Sequence, residues 1–360
     1  MSEAILVLED GRCFHGESFG ATGETFGQLV FDTSITGYQR TLTDPRHRGE
    51  VVMMTVPHIG NTGWCDSEES GHISVSGFIV RDPAPRPSHW QATRSLDDAL
   101  RAQGIVGISG VDTRALTRHV RTHGAVRVGI STQSDAAALL SRLRDQPLNA
   151  VTEGAAGFVM ASGGPRVATM VALDLGDKGQ SVDELTAFGI EVHVLPASAS
   201  FADISASRPD GVFISDGPGQ RASDSRIGAL RDVLAAKLPV LAVGRGMQLL
   251  ALALGLETYE LPFGHQAIAQ PVVELASGVS GQATHNHGYA VRSFEPAQTE
   301  YGLVSVSHVA THDSVVEGLE LTRDGRLVAL AVQFDPAASA DPLDSRRVFA
   351  RFLATMRKDV

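Results

Sequence analysis

Cysteine is nearly missing from this chain: Cys13 and Cys65 are the only two in 360 residues. Two thiols give neither a disulfide framework nor a thiolate cluster for zinc or iron–sulfur. An excess of positive charge is missing as well. The formal net charge is −11, which argues against a nucleic-acid surface, because neutralising phosphates needs clustered Lys and Arg. Long apolar runs are also lacking. The longest near the middle of the second half, Leu249 to Leu256, is far short of the roughly 20 residues that a bilayer helix needs, so no membrane span is expected. The opening MSEAILVLEDG has no basic stretch followed by an apolar one, and a cytoplasmic location is expected. No G-x-G-x-x-G is present where a strand meets a helix; LDLGDKG has the wrong spacing, and no cofactor is expected.

What is there fits an ordinary globular protein, with 43% hydrophobic and 20% charged residues. A chain of this length suggests two domains. The first 30 or so residues alternate short apolar runs with Gly-containing turns, a β-rich pattern, and EVVMMTVPHIG and HISVSGFIVRD read as further strands. SLDDALRAQG reads as a helix capped by Ser95, and DTRALTRHVRTHG as one that stops at Gly124. Residues 1–150 are therefore expected to form a mixed α+β domain. NAVTEGAAGFVMASGGPR is rich in Gly and Ala and aperiodic, so 151–166 is expected to be a linker. From 167 to 360 strands and helices alternate, which implies parallel strands with crossover helices, a doubly wound α/β sheet whose ligands bind at the carboxyl ends of its strands.

One stretch is conspicuous for what it omits. LPVLAVGRGMQLLALALG runs from a buried strand through two glycines into a helix, the layout that presents a nucleophile on a tight turn. Yet Gly244 stands where the nucleophile would, and no Ser, Cys or Thr is on the turn.

Three loops at strand ends, ISDGPGQR, VGRGMQ and VQFDPAAS, together with THNHGYAV, resemble class I glutamine amidotransferases. VLEDGRCFHGESFGA, GETFGQLVFDTSITGYQRTLTDP, PHIGNTG, VSGFIVRDP and GISGVDTRALTRHVRTHGAVRVGI resemble the N-terminal domain of one branch, the small subunit of carbamoyl phosphate synthetase. The resemblance covers about Ala4 to Leu353. It implies a partner-binding N-terminal domain, an amidotransferase-like C-terminal domain, a large synthetase subunit as partner, and pyrimidine or arginine biosynthesis as the pathway.

The family hydrolyses glutamine with a Cys–His–Glu triad. Laid on this chain, the Cys position falls on Gly244, the His position on Asp335 and the Glu position on Ala337. Glycine cannot attack as a thiolate, an unperturbed Asp titrates near 4 rather than near neutrality, and alanine orients nothing. The resemblance assigns further positions to the glutamine pocket: Arg46, Gly217, Gly219, Arg245, Gln248, Asn286, Gly288 and Tyr289. Of these, Arg46 stands in place of a family Ser and Arg245 in place of an apolar residue. Asp216 stands where the family has Asn, and Gln220-Arg221 where it has Asp-Pro.

The expectation is a pseudoenzyme: a structural or regulatory subunit of an ammonia-dependent synthetase. Two alternatives remain open at this point. One is an amidase or glutaminase with a relocated nucleophile, for which Asp335 and Cys65 are the candidates; the other is a scaffold that binds glutamine or an anionic small ligand through Arg46 and Arg245. Arg245 and Asp335 are expected either to pair or to stand as separate solvated charges. The glycines of DGPG either serve a ligand or supply positive φ. HNH at 285–287, with His308 and His312 downstream, lacks a carboxylate or Cys to complete a ligand set in the sequence, so no metal is expected.

Overall fold

Short runs buried on every residue shape the first part of the chain. Glu50–Met54, Gly77–Ile79 and Val106–Ser109 are each buried throughout, which suits strands covered on both faces. They run parallel to one another and to Glu24–Asp32. Antiparallel Glu3–Leu8, Cys13–Gly20 and Val126–Ser131 complete a closed barrel of seven strands, which leaves no open sheet edge. Its interior is filled by Leu6, Leu8, Val51, Met53, Ile108, Val128 and Ile130, all fully buried, each worth about 1.5–3 kcal/mol on transfer from water. The helix expected after Ser95 is Leu96–Ala102, and the Ser95 side chain accepts from the Asp98 amide as its cap. The next is Thr113–His123.

The computed structural model describes residues 2–66, 72–123, 126–146, 157–177, 180–218, 227–337 and 342–356, leaving aside the side chains of 267–268 and 342–346. The expected stop at Gly124, the start of the expected linker, and Gly219, Gln220 and Arg221 lie outside them. Two compact units divide the chain, Met1–Val151 with Pro262–Gln266, and Thr152–Leu261 with Ala267–Val360.

In the second unit, Ile190–Pro196, Ala168–Asp174, Gly211–Ile214, Val240–Val243 and Arg326–Val332 are neighbours in a parallel sheet. Alternate residues feed two cores. Val171, Val212, Val240 and Ala242 point to one, and Met170, Phe213, Leu241 and Val243 to the other, as a sheet covered by helices on both faces requires. Two features depart from the sequence reading. Residues 157–166 are not merely a linker, because Phe158–Met160 pairs antiparallel with Ile190–Pro196 at the sheet edge. Beyond Arg326–Val332 the sheet also continues through Val316–Arg323, Ser280–Val291, Thr258–Glu274, Gly302–Ala310 and Ala297–Thr299. THNHGYAV lies in one of these strands. Among the described residues no helix is long and apolar enough to cross a membrane.

Candidate functional site

The strand Val240–Val243 is fully buried and pairs in register with Arg326–Val332, Val243 opposite Val332. The next amide, Gly244, donates to the Val332 carbonyl at 2.8 Å, and the chain turns into the helix Arg245–Ala253. At the turn Gly244 has φ 54° and ψ −117°, a left-handed geometry that glycine adopts without the strain a Cβ would bring. The helix then lies against the sheet: a Cβ on Gly246 would come within 2.4 Å of the Ile214 carbonyl.

The neighbouring parallel strand, Gly211–Ile214, ends in Ser215-Asp216-Gly217-Pro218, all buried. Ser215 Oγ accepts from the Leu175 amide at 2.9 Å and donates to the Asp216 carbonyl at 2.7 Å, which fixes this loop. Asp216 Oδ1 accepts from two amides, Gly217 and Arg245, each at 2.8 Å. Gly244 offers no side chain to cap the helix, and the Asp216 carboxylate, 29 positions upstream of Arg245, does so from outside. An anion there meets an orphan N–H and the positive end of the helix dipole.

That carboxylate also fills the space in front of the turn. A Cβ built on Gly244 would lie 2.2 Å from Asp216 Cγ and 2.3 and 2.5 Å from its oxygens. The positive-φ expectation fails at Gly217. It is not among the positive-φ glycines, and what it needs is room, because a Cβ would come within 2.1 Å of the Leu175 carbonyl.

Arg245 is half-buried, and its guanidinium donates to the Pro218 carbonyl. Burial pushes its pKa down and Asp216 pulls it back up, with burial the larger. Asp335 is buried as well; its amide donates to the Thr284 carbonyl at 2.9 Å and its Oδ1 accepts from the Ala337 amide at 2.9 Å. The picture of two separate solvated charges is thus corrected, since neither group is in open water. Ala337 packs partly buried against the second core.

Gln248, on the helix, is buried and donates to the Tyr289 carbonyl at 3.2 Å and toward Gln333 Oε1 at 3.4 Å. Tyr289 Oη donates to Glu260 Oε2 at 3.1 Å. Asn286 and Gly288 are half-buried in Ser280–Val291, and by the two-residue period of a strand they face away from His285 and His287. Gly219 lies outside the described residues.

Arg46 belongs to the first unit, in the single turn Pro45–His47. Its guanidinium is held by Asp44 through Nε at 3.0 Å and Nη2 at 2.6 Å, in an ion pair 6% and 5% exposed. A cation so engaged is not a solvated anchor for an anionic ligand. Cys65 is buried, and its backbone is held on both sides by the Gln39 amide, at 2.9 and 2.7 Å.

One reading is overturned by distance. The sequence offered no carboxylate to HNH, but Glu317 stands beside it, its carboxylate 3.4 Å from His285 Nδ1 and 3.4 Å from His287 Nε2. No sequence pattern links them, because Glu317 reaches the pair only through strand packing. A cavity of about 90 Å³ lies elsewhere, walled by Val272, Leu330, Phe334, Pro336 and Val348, and no elbow residue lines it.

Comparison with known proteins follows the same division. Residues 6–130 match the model for the carbamoyl-phosphate synthase small chain, CPSase domain, and residues 171–355 match that for glutamine amidotransferase class-I. A carbamoyl phosphate synthase small chain from Streptomyces avermitilis is 48% identical over 98% of this chain and 96% of its own length. One from Streptomyces coelicolor is 46% identical over the same shares, and one from Mycobacterium tuberculosis is 44% identical over 99% of both. With matching models over both halves and relatives aligned over nearly its full length, this chain belongs to the carbamoyl phosphate synthase small-chain family, with a class I glutamine amidotransferase domain.

Proposed function

We propose that this chain is a small subunit that no longer hydrolyses glutamine and acts as a structural or regulatory partner of a synthase large subunit that takes free ammonia. The observation that carries this reading is the Asp216 carboxylate at the Gly244 turn. An amidase of this type needs a nucleophile on the turn and amide N–H groups directed at the carbonyl oxygen as it becomes an oxyanion. Here the turn has no side chain. Two amide N–H groups at the turn, those of Gly217 and Arg245, are engaged by Asp216 Oδ1. A carboxylate in that place opposes the charge that the transition state would develop, and losing such donors costs about 10²–10³ in rate by itself. With Asp335 and Ala337 at the family's His and Glu positions, the chain has neither an imidazole to shuttle the proton nor a carboxylate to orient one.

The N-terminal unit, by this reading, keeps the partner-binding role of the family's small subunit, and the pathway is pyrimidine or arginine synthesis in the cytoplasm.

Glutamate release from glutamine is measured with the purified chain, alone and with the large subunit. The expected result is no release in either case, alongside a stable complex that forms carbamoyl phosphate from ammonia. Turnover of glutamine above the buffer rate overturns the reading.

A further inference from the structure

We propose that His285, His287 and Glu317 form a binding site for one divalent transition-metal ion, zinc foremost, which fastens strand Ser280–Val291 to strand Val316–Arg323.

The strand period places His285 and His287 on one face, and Val316–Arg323 is the partner strand, with Val291 opposite Val316. Glu317, next to that pairing, brings its carboxylate to both imidazoles. Three separations are then equal: His285 Nδ1 to His287 Nε2, His285 Nδ1 to Glu317 Oε2, and His287 Nε2 to Glu317 Oε1, each 3.4 Å, with the carboxylate turning one oxygen to each imidazole.

That length discriminates between two kinds of cation. A proton shared between imidazole and carboxylate draws the heavy atoms to about 2.7–2.9 Å, as His47 Nδ1 and Glu50 Oε2 do at 2.7 Å in this same chain. Ligands 2.0–2.1 Å from a tetrahedral ion are instead separated by about 3.3–3.4 Å. At 3.4 Å the trio has the spacing of ligands around an ion and is wider than a charge-assisted hydrogen bond.

The tautomer agrees. His287 Nδ1 lies 2.9 Å from the Tyr289 carbonyl, which can only accept, so Nδ1 carries the proton and Nε2 presents its lone pair to the trio. An imidazole oriented by a backbone carbonyl through its second nitrogen is the usual support of a metal ligand. The same Tyr289 carbonyl accepts from Gln248 on the elbow helix, so the ion's surroundings are tied to the turn at Gly244.

Two imidazoles and a carboxylate suit zinc and its neighbours in the first transition row, not calcium or magnesium. The side chains of His285, His287 and Glu317 are 0%, 3% and 0% exposed. No substrate can approach such an ion, so its role is structural and it is taken up as the chain folds.

The test uses the untagged full-length chain. Metal analysis is expected to find about one zinc per chain. Cobalt(II), loaded in its place, is expected to give the intense visible absorption of a low-coordinate ion, not the weak bands of a six-coordinate one. His285→Gln and His287→Gln should each lose the bound equivalent, Glu317→Gln should weaken binding by tenfold or more, and His193→Gln, a histidine on a distant strand, should retain it. If the wild-type chain holds no zinc and its melting temperature does not respond to added zinc, the proposal is overturned. It is equally overturned if the histidine variants bind as the wild type does. Where those variants fail to fold, the cobalt spectrum of the wild type decides, and a weak six-coordinate spectrum refutes the site. Glutamine turnover plays no part in any of these readouts.

Discussion

The carboxyl carbon of Asp216 stands 2.2 Å from where the Cβ of residue 244 would be. Two residues on adjacent parallel strands thus compete for one volume, and glycine yields it to the carboxylate. The arrangement gives the elbow helix its cap and leaves the turn without a reacting group.

It follows that Gly244→Ala is destabilising for two reasons, positive φ and direct overlap. Strain of about 1–3 kcal/mol and overpacking of similar size predict a loss of roughly 2–5 kcal/mol in urea unfolding. Asp216→Gly alone removes a cap, at about 1 kcal/mol. The double variant should recover part of the loss, with a coupling of about 1–3 kcal/mol. Additive effects would mean that the two residues do not share this space.

Restoring activity should require emptying that space. Gly244→Cys by itself is expected to give no glutamate, because its thiol meets the Asp216 carboxylate and has no base. Combined with Asp216→Gly, which clears that space, and with Asp335→His and Ala337→Glu, the chain regains each type of group the chemistry needs. Glutamate release measured across this series should be absent until the combined variant. Release from Gly244→Cys alone would show that Asp216 moves aside freely.

Gly217→Ala tests a purely steric role. A Cβ would lie 2.1 Å from the Leu175 carbonyl, backbone that cannot rotate away, so a loss of about 2–4 kcal/mol is expected from overpacking at a fixed position. Thermal unfolding with and without glutamine separates the readings: the loss should be the same in both. A ligand-dependent difference would assign Gly217 to a binding site after all.

The first unit carries a pH dependence of its own. His47 is buried, which disfavours its imidazolium, but the Glu50 carboxylate at 2.7 Å and Asp44 nearby more than offset this, and its pKa is raised above 6.5. Folding therefore favours the protonated form. The resulting stability is complete below the unfolded value of about 6.5 and is lost as pH rises through the higher folded value. Stability measured from pH 6 to pH 9 should fall over this window, and His47→Gln should flatten the fall. An unchanged slope in the variant would place the titration elsewhere.

Much of this protein is legible without coordinates. The strand, two glycines and helix around Gly244 follow from apolar runs interrupted at residues that permit a sharp turn, and Ser95 marks its helix because local hydrogen bonding is written in local sequence. That the turn lacks a nucleophile is visible by inspection. The parallel sheet follows from alternating strands and helices, whereas the antiparallel extension is not legible, because THNHGYAV has no clear alternation of polar and apolar residues to mark a strand.

What the sequence determined by itself is therefore local: element types, the turn, the absent side chains and the family they belong to. Tertiary structure decided what occupies the vacated places. Asp216 is only a substituted loop position in the sequence until strand pairing sets it against Gly244, and Glu317 carries no signal there until the sheet delivers it to His285 and His287. In each case the deciding contact joins groups whose positions are set by packing, and packing depends on the whole chain having folded.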